Sequence, residues 1–77
     1  MWKSRRERIL AAIGDEMLTP LEIKAAVNAN VRWWQKMSLI GVYDLLEDLQ
    51  MHGMVKSRWE PKGVGAPRRI YWQPDSD

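Results

Sequence analysis

The sequence predicts a single α+β domain, three helices followed by a two-stranded β-hairpin, on three observations. Apolar residues recur at helical spacing in three separate segments. A capping residue heads each one: Ser4 with Glu7, Thr19 with Glu22, and Ser38. After Gly53 the pattern changes to two short β-rich runs around a Gly/Pro-rich turn at residues 61–67.

The first helix is predicted over about residues 3–15. Ser4-Arg5-Arg6-Glu7 is a capping box, in which each side chain satisfies the other's backbone N–H. Ile9, Leu10, Ile13 and Met17 form its apolar line, which Trp2 and Arg6 extend toward the N-terminus. The second helix is predicted over about 20–28. There Thr19 caps, Pro20 takes the first helical position and Glu22 closes the box. Leu21, Ile23, Ala26 and Val27 are expected to face inward, and Asn28 to Asn30 favour a turn. Between these helices, Met17 and Leu18 can form a short strand against the hairpin.

Trp33 and Trp34 stand among Arg32, Gln35 and Lys36 in the next connection. Two readings are open: the pair covers the end of the core, or it contacts a partner. The third helix is predicted over about 39–52, capped by Ser38. Val42, Leu45, Leu46 and Leu49 form its inner stripe, with Leu39 on the same side. Ile40, Asp44, Glu47, Asp48 and Met51 point outward. His52 suits the negative end of the helix dipole, and Gly53 suits the left-handed position beyond it. Strands follow at about 54–60 and 68–73, with 74–77 as a frayed tail. Lys56 and Arg58 are expected outside, while Met54 or Val55, Ser57 and Trp59 compete for the inner face. Trp59 and Trp72 read as hairpin packing.

Seventy-seven residues are close to the size at which one core is marginal, and no cysteine is present to staple it. The five tryptophans are expected to supply much of the missing apolar area. The absence of a signal-peptide core or a bilayer-length apolar run leads to the expectation of a cytoplasmic protein with no membrane partner. One histidine, no cysteine and no Gly-rich phosphate loop leave little chemistry to assemble. No enzyme activity, cofactor or metal is expected, and His52 with Asp48 reads as a solvated helix end. Net charge is +2, unevenly spread. Residues 1–36 carry +3, residues 37–52 carry −3 through Asp44, Glu47 and Asp48, and residues 53–77 carry +2. The third helix is therefore acidic between two basic regions.

Ser38, Val42-Tyr43, Leu45-Leu46, Leu49, Gly53, Ser57-x-Trp59-Glu60 and Gly65-Ala66-Pro67-Arg68-Arg69-Ile70-Tyr71 stand in one register from Ser38 to Tyr71. On these residues the chain resembles the PadR family of winged helix-turn-helix transcriptional regulators. Ile9 to Ile13 and Thr19 to Ile23 are similar, more loosely, to the first two helices. Leu39 and Ile40 replace the small residues that usually follow the serine, and the acidic outer face is a further departure. The resemblance implies a winged helix-turn-helix fold and sequence-specific binding of double-stranded DNA by a small regulator, a repressor. It also implies that these residues form the DNA-binding module alone, without the C-terminal dimerisation helix of the family.

On that resemblance the DNA contacts fall to Ser38, Gly41 and Tyr43 at the start of the third helix, and to Lys62, Arg68 and Arg69 on the wing. Lys3, Arg5, Arg6 and Arg8 on the first helix form a second basic patch. Cations against phosphate imply a steep salt dependence. The bland alternatives are that Ser38 only caps, that Tyr43 is half core, and that the arginines are solvated. Specific readout commonly uses a dimer, so Trp2, Trp33 and Trp34 are candidate homodimer contacts. The rival function is a protein-interaction module, using the acidic face of the third helix with Ile40 and Met51.

Overall fold

The computed structural model describes residues 4–61, 65 and 67–74. Helices α1 (Arg5–Ile13), α2 (Pro20–Asn28) and α3 (Leu39–Met51) precede strands β1 (Lys56–Glu60) and β2 (Arg68–Trp72). A 3₁₀ turn at Trp33–Gln35 joins α2 to α3. The strands pair antiparallel, with Lys56 opposite Trp72 and Glu60 opposite Arg68. Leu18 adds a third partner to β2 through two backbone hydrogen bonds with Tyr71, of 3.0 and 2.8 Å. Three helices and a wing are thus present in the expected order, a winged-helix arrangement.

Local chemistry sets the helix boundaries. Ser4 and Glu7 form the first capping box, and Thr19 and Glu22 the second. Ser38 caps α3 by accepting from the Gly41 N–H at 3.0 Å. The α1 helix is shorter than predicted, because Gly14 turns the chain at φ 55° toward the Leu18 bridge. That turn leaves Met17 exposed rather than on the apolar line. At the other end of the core, the Met54 N–H reaches Leu49 O at 2.9 Å and the Gly53 N–H reaches Gln50 O at 3.0 Å. This pair of bonds is a Schellman ending, with Gly53 at φ 74° in the left-handed region that a Cβ disfavours.

The core is aliphatic. Ile9, Ile13, Ile23, Val27, Met37, Val42, Leu46, Leu49 and Val55 meet the ring of Tyr71. The described tryptophans are not part of it: Trp33 is 79 % exposed, Trp34 61 % and Trp59 63 %, while Trp72 is half-buried. Expectations that tryptophan supplies the core, and that Trp33 and Trp34 cover its end, are therefore corrected. The cause is the Asn28 side chain. It donates to Met37 O at 2.9 Å and accepts from the Met37 N–H at 2.7 Å. Met37 is held inward by this clamp and the intervening turn is left outside. Leu21 and Ala26 are also exposed, because the buried line of α2 runs through Pro20, Ile23 and Val27.

Two long polar side chains tie the elements together by satisfying backbone carbonyls, and an ion pair adds a third link. Arg8 donates to Val27 O at 3.3 Å and to Gln35 O at 2.9 Å, joining α1 to the end of α2 and to the turn. Gln73 donates to Leu10 O at 2.8 Å and to Gly14 O at 3.1 Å, closing the C-terminal end of α1. Arg6 forms an ion pair with Asp48 at 2.6 Å, linking α1 to α3. Asp48 accordingly faces α1 and not the outer side of α3, as its position on the helical wheel suggested.

No atom lies within 4 Å of the Cβ that an alanine would add at Gly53, so a substitution there tests backbone conformation alone. Gly53→Ala is expected to cost about 1 kcal/mol, lowering Tm by roughly 4–8 °C for a domain of this size. Gly53→Asn should lose less, since asparagine tolerates the left-handed region. Thermal melts of both variants check the ordering.

Candidate nucleic-acid interface

The exposed side of α3 is a stripe of Ile40, Tyr43, Asp44, Glu47 and Met51, which recur at helical spacing on the face opposite Val42, Leu46 and Leu49. Ile40 is 75 % and Met51 81 % exposed. The wing stands beside this stripe. Together they enclose an open groove of about 1010 Å³. Leu21 and Glu22 of α2 form one wall, Tyr43, Glu47, Gln50 and Met51 of α3 the floor, and Trp59, Arg68, Arg69 and Tyr71 of the wing the other wall.

A polar knot fixes the wing at its distance from α3. The Ser57 hydroxyl donates to Gln50 Oε1 at 2.9 Å. Arg69 donates to Ser57 Oγ through Nε at 3.1 Å and through Nη2 at 2.9 Å, and Nη2 reaches Gln50 Oε1 at 3.4 Å. The same guanidinium lies 5.6 Å from the Trp59 ring centre and 5.5 Å from that of Tyr71. One arginine thus joins α3, β1 and β2. The trio was hard to see in the sequence, because it depends on strand register: Ser57 opposes Tyr71, which puts it beside Arg69 rather than in line with it. Trp59 belongs to the rim of the groove and stacks on Arg69, not to the hairpin's inner packing.

The other wing arginines are also engaged. Arg68 donates to Glu60 Oε1 from Nε at 3.2 Å and from Nη2 at 3.0 Å, and Arg58 approaches the same carboxylate at 3.9 Å. Two hydrogen bonds with Thr19 hold the Glu22 carboxyl below its usual range, and Arg68 across the groove adds to the effect. Burial pushes the Tyr71 phenol up, against the pull of Arg69 and with the push of Tyr43 and Glu47. The groove therefore carries both signs of charge, with carboxylates from the helices facing arginines from the wing.

Of the residues expected at the interface, Tyr43, Arg68 and Arg69 come together in this groove. Ser38 and Gly41 lie at the N-terminal end of α3 and make the cap; a Cβ at Gly41 would meet Ser38 Oγ at 3.3 Å. The expected basic patch on α1 is largely occupied by structural contacts, since Arg6 pairs with Asp48 and Arg8 is spent on carbonyls, while Arg5 is exposed. Trp33 and Trp34 pack edge to face with ring centres 5.8 Å apart, and Arg32 lies 5.7 Å from the Trp34 ring. Trp2, Lys3 and Lys62 fall outside the described residues.

No family model matches the chain, and no curated protein matches it in sequence. Among solved structures, the fold is similar to that of Bacillus subtilis PadR in complex with operator DNA. The match has a TM-score of 0.78 at 18 % identity and covers 92 % of this chain. It covers 40 % of that chain, so the residues described here span less than half the length of that regulator. The likeness is one of fold.

The knot at Arg69 is open to a direct test. Arg69→Lys keeps the charge but loses the planar fork that bridges Ser57 and Gln50. It is expected to lower stability by about 1–2 kcal/mol, read as a reduced urea midpoint. An unchanged midpoint would show that the wing does not depend on the fork.

Proposed function

We propose that this protein is a sequence-specific double-stranded DNA-binding protein that acts as a transcriptional regulator, a repressor of the gene next to its operator. The observation that carries this reading is the groove between the α3 stripe and the wing, on a fold similar to that of a regulator solved on operator DNA. In this reading α3 enters the major groove, while Arg68 and the wing lie along the adjacent backbone. The Ser38 hydroxyl and the first N–H groups of α3 donate to a phosphate at the positive end of the helix. Such a regulator would act where the DNA is, in the cytoplasm.

Two copies on adjacent half-sites would give the affinity that one small module lacks. The exposed Trp33–Trp34 pair is the aromatic surface we assign to that contact. Sedimentation equilibrium is expected to find a dimer for the wild type and a shift toward monomer for Trp34→Ala. A wild-type monomer at every concentration, with and without DNA, would remove this assignment.

Because Arg6, Arg8 and Arg69 are engaged within the domain, the steep salt dependence expected from the sequence is revised. Fluorescence anisotropy on duplex DNA is expected to give a slope of log K against log salt of about −2 to −4 per module, corresponding to a few neutralised phosphates. Failure to bind any duplex at low salt would overturn the reading. If, in addition, neutralising Asp44 and Glu47 released a protein partner, α3 would be assigned to protein contact instead.

A further inference from the structure

The α3 stripe has an unusual chemistry for a helix read against DNA. From Leu39 to Met51 it contains no lysine, arginine or asparagine. Its one glutamine, Gln50, is held by the Ser57 hydroxyl and by Arg69. The side chains that usually fork onto guanine or adenine are therefore absent or already engaged. The polar groups left on the stripe are the Tyr43 hydroxyl and the carboxylates of Asp44 and Glu47. Asp48 is paired with Arg6. Of the carboxylates, Glu47 is the one that lines the groove beside the wing, and its charge is felt at the Tyr71 phenol.

A carboxylate accepts hydrogen bonds and donates none. In the major groove, guanine offers only the acceptors O6 and N7, and thymine offers the acceptor O4. Adenine has a donor, but its N7 acceptor lies beside it and repels an anion. Cytosine presents its N4 amino donor with no acceptor on the same base. We propose that Glu47 is a specificity-determining residue of this protein, accepting from the N4 amino group of a cytosine in each half-site. The proposal rests on the DNA-binding reading above. Arg68 and Arg69 on the wing wall of the same groove offset part of the repulsion between Glu47 and the flanking phosphates. Glu47 then contributes discrimination among bases and little to general affinity.

The test is selection of duplexes from a randomised pool, followed by titration of the selected duplex. Wild type is expected to enrich one position per half-site for cytosine. Replacing that C·G pair by T·A puts an acceptor opposite Glu47 and should weaken wild-type binding roughly 5- to 100-fold. Glu47→Ala should lose the preference at that position, so that the ratio of its affinities for the selected and the random duplex falls. Glu47→Gln should shift the preference to adenine, because an amide can bond N6 and N7 together. Glu47 is exposed, so both variants are expected to melt at the wild-type temperature. If wild type enriches no cytosine, or both variants bind with wild-type preference at every position, the assignment of Glu47 is wrong and the DNA-binding reading stands. If no protein binds any duplex, the DNA-binding reading itself fails.

Discussion

The outer part of the wing is held against α3 by a polar knot centred on one guanidinium, that of Arg69. A two-stranded hairpin on its own is marginal in water and needs a surface to pack on. Here Val55 and Tyr71 give it an apolar anchor, but the outer half of the wing would be free to swing without a second point of attachment. Arg69 provides it, with a rigid fork on Ser57 and Gln50 and its flat faces near Trp59 and Tyr71. The width of the groove follows from this attachment. So does the fact that Oε1 of Gln50, which lines the groove, is already engaged and cannot complete a two-bond fork with anything that enters it.

The domain uses cations and amides as internal struts where a larger protein would use more core. Arg8, Asn28 and Gln73 each satisfy two backbone groups on a neighbouring element. Backbone carbonyls at helix ends must find partners, and those withdrawn from water depend on side chains to reach them. This solution explains how a core that, among the described residues, consists of aliphatic side chains with Met37 and Tyr71 suffices without a buried tryptophan. It also means that the basic charge of the sequence overstates the positive potential offered to an anion.

What could be read from the sequence is what local chemistry decides. The capping boxes, the Ser38 cap, Pro20 at the head of α2 and the turn at Gly53 each involve residues within five positions of one another, and all stand as read. The inner stripe of α3 follows from periodicity, and the Leu18 bridge from the position of Met17 and Leu18 between the first two helices. The errors involve distant partners. Trp33 and Trp34 look like core until the Asn28 clamp on Met37 turns them outward. Asp48 looks solvent-facing until α1 brings Arg6 to it. At the candidate site, Tyr43, Arg68 and Arg69 were legible as members, but Arg69 also acts as the strut that builds the groove. No spacing rule reveals that, because it arises from the register between two strands and the end of a helix.

The tie between Gln73 and α1 bears on how the chain folds. Its partner Leu10 lies 63 positions earlier in the sequence. Helical turns form in well under a microsecond, but closing so long a loop is entropically costly and waits on the elements between. The last turn of α1 therefore lacks its final hydrogen-bond partners until the hairpin docks. Amide exchange along β2 and at the end of α1 belongs to one cooperative unit, even though the two segments are separated by nearly the whole sequence.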